Sequence, residues 1–401
     1  MHEQLVSELR SIFIFFLVPM LILDIISRLR RKPYPPGPWG LPIIGNIMMA
    51  KRLNHRGLAK LAKHYGGLFH LKMGSVHVIV VIGPEEAKQR RMRKLSVMRL
   101  FSRKRTTTWE SVRSEDEFLA VLQELSQLFG ALNIADFIPF LTWADPNGLN
   151  ERLVKAQSDL DGFFDPIIDN GKINEPEDST NSLKLTRDNI KAIIMDVTFG
   201  ATETVAWTVE WAMTELLRNP DDMKRVQNEL ANVAGLTRKP DDSDLDKLPY
   251  FRCCIKETLR LHPPVSLLLH ATSHDAVIGG YYIPKQSRVV VNTWAIGRDP
   301  NSWSDADMFK PGRFLEEGAP NIKGANFELI PFGSGRQSCP GMGLALYTLE
   351  LCAVNLLHCF TWELPDGMKP SELRTDETFG LTISRASRLV AVPSTRLVCP
   401  L

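Results

Sequence analysis

The segment that most constrains this chain is a glycine-rich loop that runs into an apolar helix, Pro331 to Leu346, PFGSGRQSCPGMGLAL. Its single cysteine, Cys339, is followed by Pro340 and then by an apolar pattern that predicts a helix to about Phe360. Proline is favoured just inside a helix start, because the N–H it lacks would be unpaired there. We therefore expect Cys339 at or just before a helix N-terminus.

That position favours metal binding by the cysteine. Backbone N–H groups at a helix N-terminus stabilise a thiolate, and the thiolate is the form of cysteine that binds a metal. The nearby glycines let the backbone lie close against a large flat group. Haem iron held by a cysteine thiolate needs such a site. The alternative for a lone cysteine is a buried structural residue in a glycine-rich loop.

The run from Phe332 to Gly341, FGSGRQSCPG, resembles the haem-binding loop of the cytochrome P450 family. The resemblance implies a haem b cofactor with Cys339 as the axial iron ligand, whose thiolate pushes electron density toward cleavage of the O–O bond. The family usually has arginine two residues before the cysteine, where it meets a haem propionate, and this chain has Gln337. The residues of this loop that the resemblance places around the haem are Phe332, Gly335, Arg336 and Gly341.

Length and composition agree with a haem domain of this size. The chain has 401 residues, enough for one large domain or two ordinary ones, and 44% of them are apolar. The net charge of +2 gives no reason to expect a nucleic-acid partner. The six cysteines form neither a paired zinc pattern nor a secreted disulfide framework, which favours a reducing, cytosol-facing domain.

The N-terminus carries an apolar run, Ile12 to Leu23, followed by four basic residues and then by the proline-rich segment PYPPGP. Basic residues after such a run favour a cytoplasmic body. The pattern predicts an uncleaved membrane anchor over residues 1–32 ahead of a haem domain over residues 33–401. The resemblance places this anchor in the endoplasmic reticulum membrane, with the catalytic domain facing the cytosol. The alternatives are a cleaved signal peptide and a hydrophobic helix of the fold.

A long helix is predicted from Thr186 to about Arg218, with a polar turn, Gly200 to Thr204, in its middle. The glycine weakens the helix by roughly 1 kcal/mol relative to alanine, and the Thr204 hydroxyl can bond to a carbonyl one turn back. The resemblance makes this turn the oxygen-activating groove, where Thr204 and Glu203 deliver protons to dioxygen. Ala201 stands where the family usually has glycine. The alternative is an ordinary buried helix with a polar turn.

Glu257 and Arg260 are three residues apart in a predicted helix and share one face. As a surface pair they would contribute little to stability. The resemblance implies instead the buried Glu-x-x-Arg pair of the family, joined by Arg313.

Four further positions take a role only from the resemblance. His270 matches a family position that contacts a haem propionate, and a structural role is an equal alternative. Arg90 falls where a family helix directs an arginine to a propionate, with Gln89 in place of tryptophan; the alternative is a solvated basic face. Thr382 and Ile383 are expected at the tip of a C-terminal hairpin, facing the substrate.

The expected fold is mainly α with small β-sheets, a cytochrome P450 fold that is incomplete. Compared with the family, the chain looks internally shortened near residues 88–90, 112–134 and 170–182. An open pocket lets activated oxygen leave as peroxide, because enclosure of the site is what suppresses side reactions.

Within the family, the resemblance is closest to the plant ferulate (coniferaldehyde) 5-hydroxylases, on residues 185–196, 331–342 and 358–373. It implies a haem-thiolate monooxygenase that hydroxylates the aromatic ring of a methoxylated phenylpropanoid in lignin biosynthesis. NADPH would supply electrons through NADPH–cytochrome P450 reductase, since the chain has no Gly-rich dinucleotide fingerprint. One alternative is a catalytically inactive P450-derived membrane protein; the other is an isomerase or dehydratase that uses no dioxygen.

Overall fold

The structure is a computed structural model that describes residues 33–42, 44–85, 115–131, 137–138, 148–170, 186–335 and 338–398. In this part of the chain helices predominate and the strands are short, which confirms the predicted fold class. The anchor predicted over residues 1–32 lies outside the described residues. The helices are α1 His55–Tyr65, α2 Glu115–Gly130, α3 Leu149–Asn170, α4 Arg187–Arg218, α5 Pro220–Ala234, α6 Asp242–Leu245, α7 Pro249–Leu261, α8 Thr293–Ile296 and α9 Met342–Cys359. The strands are β1 Leu68–Met73, β2 Val76–Val81, β3 Leu267–Ala271, β4 Ala276–Ile278, β5 Tyr281–Ile283, β6 Arg288–Asn292, β7 Phe360–Glu363, β8 Glu377–Thr378, β9 Ser384–Arg385 and β10 Val392–Thr395.

The chain divides into two compact units. Of the described residues, the smaller unit comprises those up to residue 85, residues 137–138 and Leu269–Asn292. The larger unit comprises residues 115–131, 148–268 and 293–398 as far as they are described.

The smaller unit is built on a four-stranded sheet with the strand order β1-β2-β6-β3. Strands β1 and β2 form the predicted antiparallel hairpin, with Leu68 opposite Val81, and β2 runs parallel to β6. Gly74 in the hairpin turn has a φ of 56°, and a Cβ there would lie 2.2 Å from the carbonyl oxygen of Phe137. Only glycine fits such a position, because it lacks that atom and tolerates positive φ.

Helix α4 of the larger unit has the bounds that its sequence signals predict. The Thr186 side chain caps its start by accepting the N–H of Asn189 at 3.3 Å, and the helix ends before Asn219 and Pro220. Proline cannot continue the α4 hydrogen-bond ladder, but its fixed φ suits the first turn of α5.

Two apolar clusters hold the larger unit together. The first brings α4, α5, α7 and α9 around residues such as Leu216, Phe251 and Val354, each of which is at most 1% exposed. The second joins α2 and α3 to the N-terminal half of α4, with Leu122 and Phe164 at its centre. Burial of each such side chain contributes roughly 1.5–3 kcal/mol.

Helix α9 begins two residues later than predicted. Its first hydrogen bond runs from the N–H of Ala345 to the carbonyl of Gly341, so Pro340 still belongs to the preceding loop. The helix ends at Cys359, because Phe360 begins β7 and pairs with β10. Among the described residues, α9 is the one helix long and apolar enough to cross a membrane, with a mean hydropathy of 1.4. Its C-terminal half packs in the core of the larger unit.

Candidate active site

Glycine conformation shapes the loop before α9. Gly333 and Gly335 have φ of 72° and 77°, which other residues rarely adopt. These turns fold the loop back on itself, so that the backbone N–H of Cys339 donates to the carbonyl of Phe332 at 2.9 Å. The Phe332 ring packs against the core of the larger unit and thereby anchors the loop.

The Cys339 thiol is exposed just ahead of the first turn of α9. Gly341 lies beside the sulfur: a Cβ on it would lie 3.9 Å from the Cys339 Sγ, at ordinary van der Waals contact. The first turn of α9 is also open: Gly343 has no atom within 4 Å of a Cβ position, and Leu344 is 48% exposed. The Cys339 sulfur, a soft metal ligand, therefore lies beside an open apolar surface.

The polar turn of α4 is open as well. Gly200 and Ala201 are exposed, and a Cβ on Gly200 would meet no atom within 4 Å. The Thr204 hydroxyl donates to the Gly200 carbonyl at 2.5 Å, which confirms the bond predicted one turn back. Helix α9 packs against α4, so this turn and the cysteine loop lie on neighbouring elements of the larger unit.

Glu203 does not share the surroundings of Thr204. Consecutive residues of an α-helix point about 100° apart, and the Glu203 side chain is 6% exposed while Thr204 is only half-buried. A carboxylate oxygen of Glu203 accepts the Thr382 hydroxyl at 2.9 Å. Thr382 and Ile383 both lie between β8 and β9, as predicted for a hairpin tip, and are 6% and 1% exposed. Their expected contact with the substrate stays a prediction.

The predicted Glu257–Arg260 pair is buried and joined by Arg313. Arg260 donates to both carboxylate oxygens of Glu257 at 2.7 and 2.8 Å, and Arg313 donates to the same carboxylate at 3.1 Å. The side chains of Glu257 and Arg260 are 0% exposed, which excludes the surface alternative.

The comparisons with known proteins identify the family. A family model described as Cytochrome P450 matches residues 103–390. Cytochrome P450 84A1 from Arabidopsis thaliana is 48% identical over 98% of this chain and 96% of its own length. Cytochrome P450 84A4 from the same plant is 45% identical over 97% of both chains. The flavonoid 3'-monooxygenase of Arabidopsis thaliana is 33% identical over 95% of this chain and 96% of its own length.

The chain belongs to the cytochrome P450 family. It is a P450 monooxygenase of the plant type, with a haem-thiolate iron and a redox partner that supplies electrons from NADPH. The residues present fit the cofactor. The exposed Cys339 thiol would supply the iron ligand, and the open turns at Gly343 and Gly200 carry no side chain that would obstruct a broad apolar ring. Arg336, Gln337, Arg90 and Gln89 lie outside the described residues, so their haem contacts stay predictions.

The alignment also bears on the length of this P450. It spans 504 positions with P450 84A1 but uses 98% of a 401-residue chain, so about 110 positions have no residue here. This agrees with an internally shortened chain. Where the shortening falls, near residues 88–90, 112–134 and 170–182, stays a prediction.

His270 lies on β3 in the smaller unit, and its side chain is half-buried. Its expected contact with a haem propionate stays a prediction, as does the boundary of one haem domain over residues 33–401.

Sequence reasoning missed a buried ionic cluster in this P450. His262, at the end of α7, lies 2.8 Å from a carboxylate oxygen of Glu215 and stacks on the Trp211 ring at 3.9 Å. Burial alone would raise the pKa of Glu215, but the hydrogen bond and charge of His262, with the charges of Arg218 and Arg298, lower it below its usual value. The four-residue spacing of Trp211 and Glu215 on one helix face is the one sequence signal for this cluster.

Proposed function

We propose that this P450 hydroxylates the aromatic ring of a methoxylated phenylpropanoid of the ferulate or coniferaldehyde type, in lignin biosynthesis. The observation that carries the proposal is the exposed Cys339 thiol ahead of the apolar helix α9, which suits a haem-thiolate site. The substrate class is supported by the resemblance of residues 185–196 and 358–373 to plant ferulate 5-hydroxylases.

Held by the Cys339 thiolate, the haem supplies the activation of dioxygen from which one oxygen atom enters the ring. The chain itself supplies the groups that deliver protons, on helix α4. The Thr204 hydroxyl, which donates to the Gly200 carbonyl, holds a proton at the open turn of α4. Glu203, the residue before Thr204 on the helix, relays protons to it; its side chain is buried, so water does not reach it freely.

The proposal includes two partners outside the domain. Electrons come from NADPH–cytochrome P450 reductase. Residues 1–32 anchor the chain in the endoplasmic reticulum membrane, with the domain on the cytosolic side. The anchor is supported by the apolar and basic pattern of the N-terminus and by the resemblance. The reductase is supported by the resemblance alone.

A carbon-monoxide difference spectrum of the reduced full chain tests the haem-thiolate site. We expect the red-shifted Soret band of thiolate-ligated haem, its loss in Cys339→Ala, and its retention in Cys352→Ala. Cys352 is a suitable control because it is also an exposed cysteine and lies on α9. A band that persists without Cys339 would refute the assignment.

Turnover of coniferaldehyde and ferulate with NADPH and the reductase then tests the substrate class. We expect ring-hydroxylated product from at least one of the two, and none from Cys339→Ala. A haem-loaded chain that leaves both compounds unchanged, but converts another class of substrate, would contradict the proposed substrate.

A haem-free membrane protein is the second candidate, favoured by the roughly 110 alignment positions that this chain lacks. A chain without any haem band would support it. The third candidate is an isomerase or dehydratase that uses no dioxygen. Thr204→Ala distinguishes it, because this change would lower the turnover of a monooxygenase and leave the turnover of an isomerase or dehydratase unchanged.

A further inference from the structure

Three buried oxygen-bearing side chains form a continuous chain between α2, the β8–β9 connection and α4. The Thr382 Oγ1 lies 3.1 Å from the Ser126 Oγ and 2.9 Å from a carboxylate oxygen of Glu203. The exposed fractions are 7% for Ser126 and 6% for both Thr382 and Glu203. A carboxylate this deeply buried depends on its hydrogen-bond donors, because an unpaired buried charge is costly.

The direction of these hydrogen bonds follows from the donors available. A threonine hydroxyl has one O–H to donate, and that of Thr382 is directed at the Glu203 carboxyl group. Thr382 therefore donates to Glu203, and Ser126 donates to Thr382. Ser126 is itself buried, so these hydroxyls do not connect Glu203 to solvent. They hold its carboxyl group in place.

The backbone fixes the position of the Thr382 hydroxyl. On one side, the N–H of Leu381 donates to the Ser126 carbonyl at 3.3 Å; on the other, the N–H of Ile383 donates to the Pro264 carbonyl at 2.8 Å. Thr382 is thus held between two anchored neighbours. Its hydroxyl presents a fixed donor to a glutamate side chain that has three rotatable bonds of its own.

We infer that Thr382 is a positioning residue for Glu203 during oxygen activation, with Ser126 as its support. The inference rests on the proposed function, because it requires Glu203 to serve proton delivery. Without the Thr382 hydroxyl, the Glu203 side chain loses its fixed hydrogen-bond partner and turns to another one, so that proton delivery slows. Dioxygen then leaves with two electrons from NADPH and two protons as hydrogen peroxide. In the coupled reaction the same electrons and protons release one oxygen atom as water, and the other enters the substrate.

Thr382→Val tests this inference because it keeps the side-chain shape and removes the hydroxyl; Thr382→Ser is the matched control. In Thr382→Val we expect more peroxide per NADPH and roughly tenfold slower product formation, the size of one lost hydrogen bond to a charged group. The carbon-monoxide band and the substrate-induced spectral shift should stay as in the parent chain. Thr382→Ser should restore the parent peroxide yield.

A second measurement requires no turnover. Urea midpoints of the purified chain, the two single variants Thr382→Val and Glu203→Leu, and the double variant form a cycle that isolates their interaction. We expect the double variant to lose clearly less stability than the sum of the single variants. Additive losses would overturn the inference.

A Thr382→Val enzyme with weaker substrate binding and an unchanged peroxide yield would also overturn the inference, since Thr382 would then be a substrate contact. If Thr382→Val retains no haem, Ser126→Ala removes the supporting hydroxyl instead, and an unchanged peroxide yield in that variant would overturn the inference. A parent chain without haem would refute the proposed function, while the urea cycle would still decide whether Thr382 holds Glu203.

Discussion

At the scale of single residues, Arg260 does more than pair with Glu257. A guanidinium has five N–H donors, and each of those of Arg260 has a partner. Besides the carboxylate, it donates to three main-chain carbonyls at distances of 2.5 to 3.0 Å; these belong to Gly297, Ala306 and Met308. The Arg260 guanidinium also lies over the Trp303 ring, 5.1 Å from its centroid. One side chain thus joins α7 to the loop that follows α8.

We expect Arg260→Lys to lower the free energy of unfolding by about 3 kcal/mol or more, because a lysine has three donors on a single atom and leaves buried carbonyls unpaired. Arg374→Lys is the matched control: Arg374 pairs with Asp376 at the surface, where ion pairs are worth about 0–1 kcal/mol. Urea midpoints measure both variants. Equal midpoints for Arg260→Lys and Arg374→Lys would show that the five-donor arrangement contributes nothing to stability.

The Glu257–Arg260 pair and the Thr204 bond to Gly200 could be predicted from sequence, because residues three or four apart meet on one helix face. The bond between Thr382 and Glu203 could not, since it joins residues 179 positions apart. The carbonyl partners of Arg260 could not be predicted from the sequence either, because every residue has a carbonyl and only tertiary packing selects these three.

At the scale of elements, helix bounds were predictable where local chemistry sets them. Thr186 caps α4 through its own side chain, and Pro220 prevents its continuation, so both ends could be read from the sequence. The start of α9 was placed two residues early. Pro340 suits a first helical turn. The loop before it is closed, however, by a hydrogen bond from the N–H of Cys339 to the carbonyl of Phe332, and the helix begins only after this closure.

His358, in the last turn of α9, predicts a pH dependence of stability. The side chain is 0% exposed, and its Nε2 lies 3.2 Å from the Arg238 carbonyl. Burial, the largest cause, lowers the pKa of His358 below the ordinary value of 6.5. The unfolded chain therefore binds a proton more readily than the folded chain. The stability from neutral His358 is complete above about pH 6.5 and is lost as pH falls toward the folded pKa.

Urea midpoints between pH 7.5 and about 5 test this dependence. The parent chain should lose stability on acidification, with a contribution from this one proton of at most about 1.4 kcal/mol per pH unit. His358→Gln keeps a donor for the Arg238 carbonyl and should flatten the profile. His64→Gln, at an exposed position on α1, should leave it unchanged. A His358→Gln profile as steep as that of the parent chain would exclude His358 as the cause.

At the scale of the whole molecule, the chain keeps the cysteine loop and the core that holds it, while lacking roughly 110 positions of its relative P450 84A1. The parts retained form one connected core: α4, α7 and α9 share an apolar cluster, and Phe332 anchors the cysteine loop to it. This explains why the fold class was predictable despite the shortening. The haem loop, the polar turn of α4 and the Glu-x-x-Arg pair are each local in sequence and all belong to the larger unit.

The shortening predicts poor coupling between NADPH use and hydroxylation. Exclusion of water protects an activated intermediate from side reactions, and a chain with fewer residues encloses its substrate less completely. With the same reductase and a substrate that both proteins bind, we expect this chain to release more peroxide per NADPH than Arabidopsis P450 84A1 prepared in the same way. Because the comparison is per NADPH at equal haem content, a difference in haem loading does not affect it. Equal peroxide yields would mean that the retained core alone encloses the site, and that the missing positions serve another purpose.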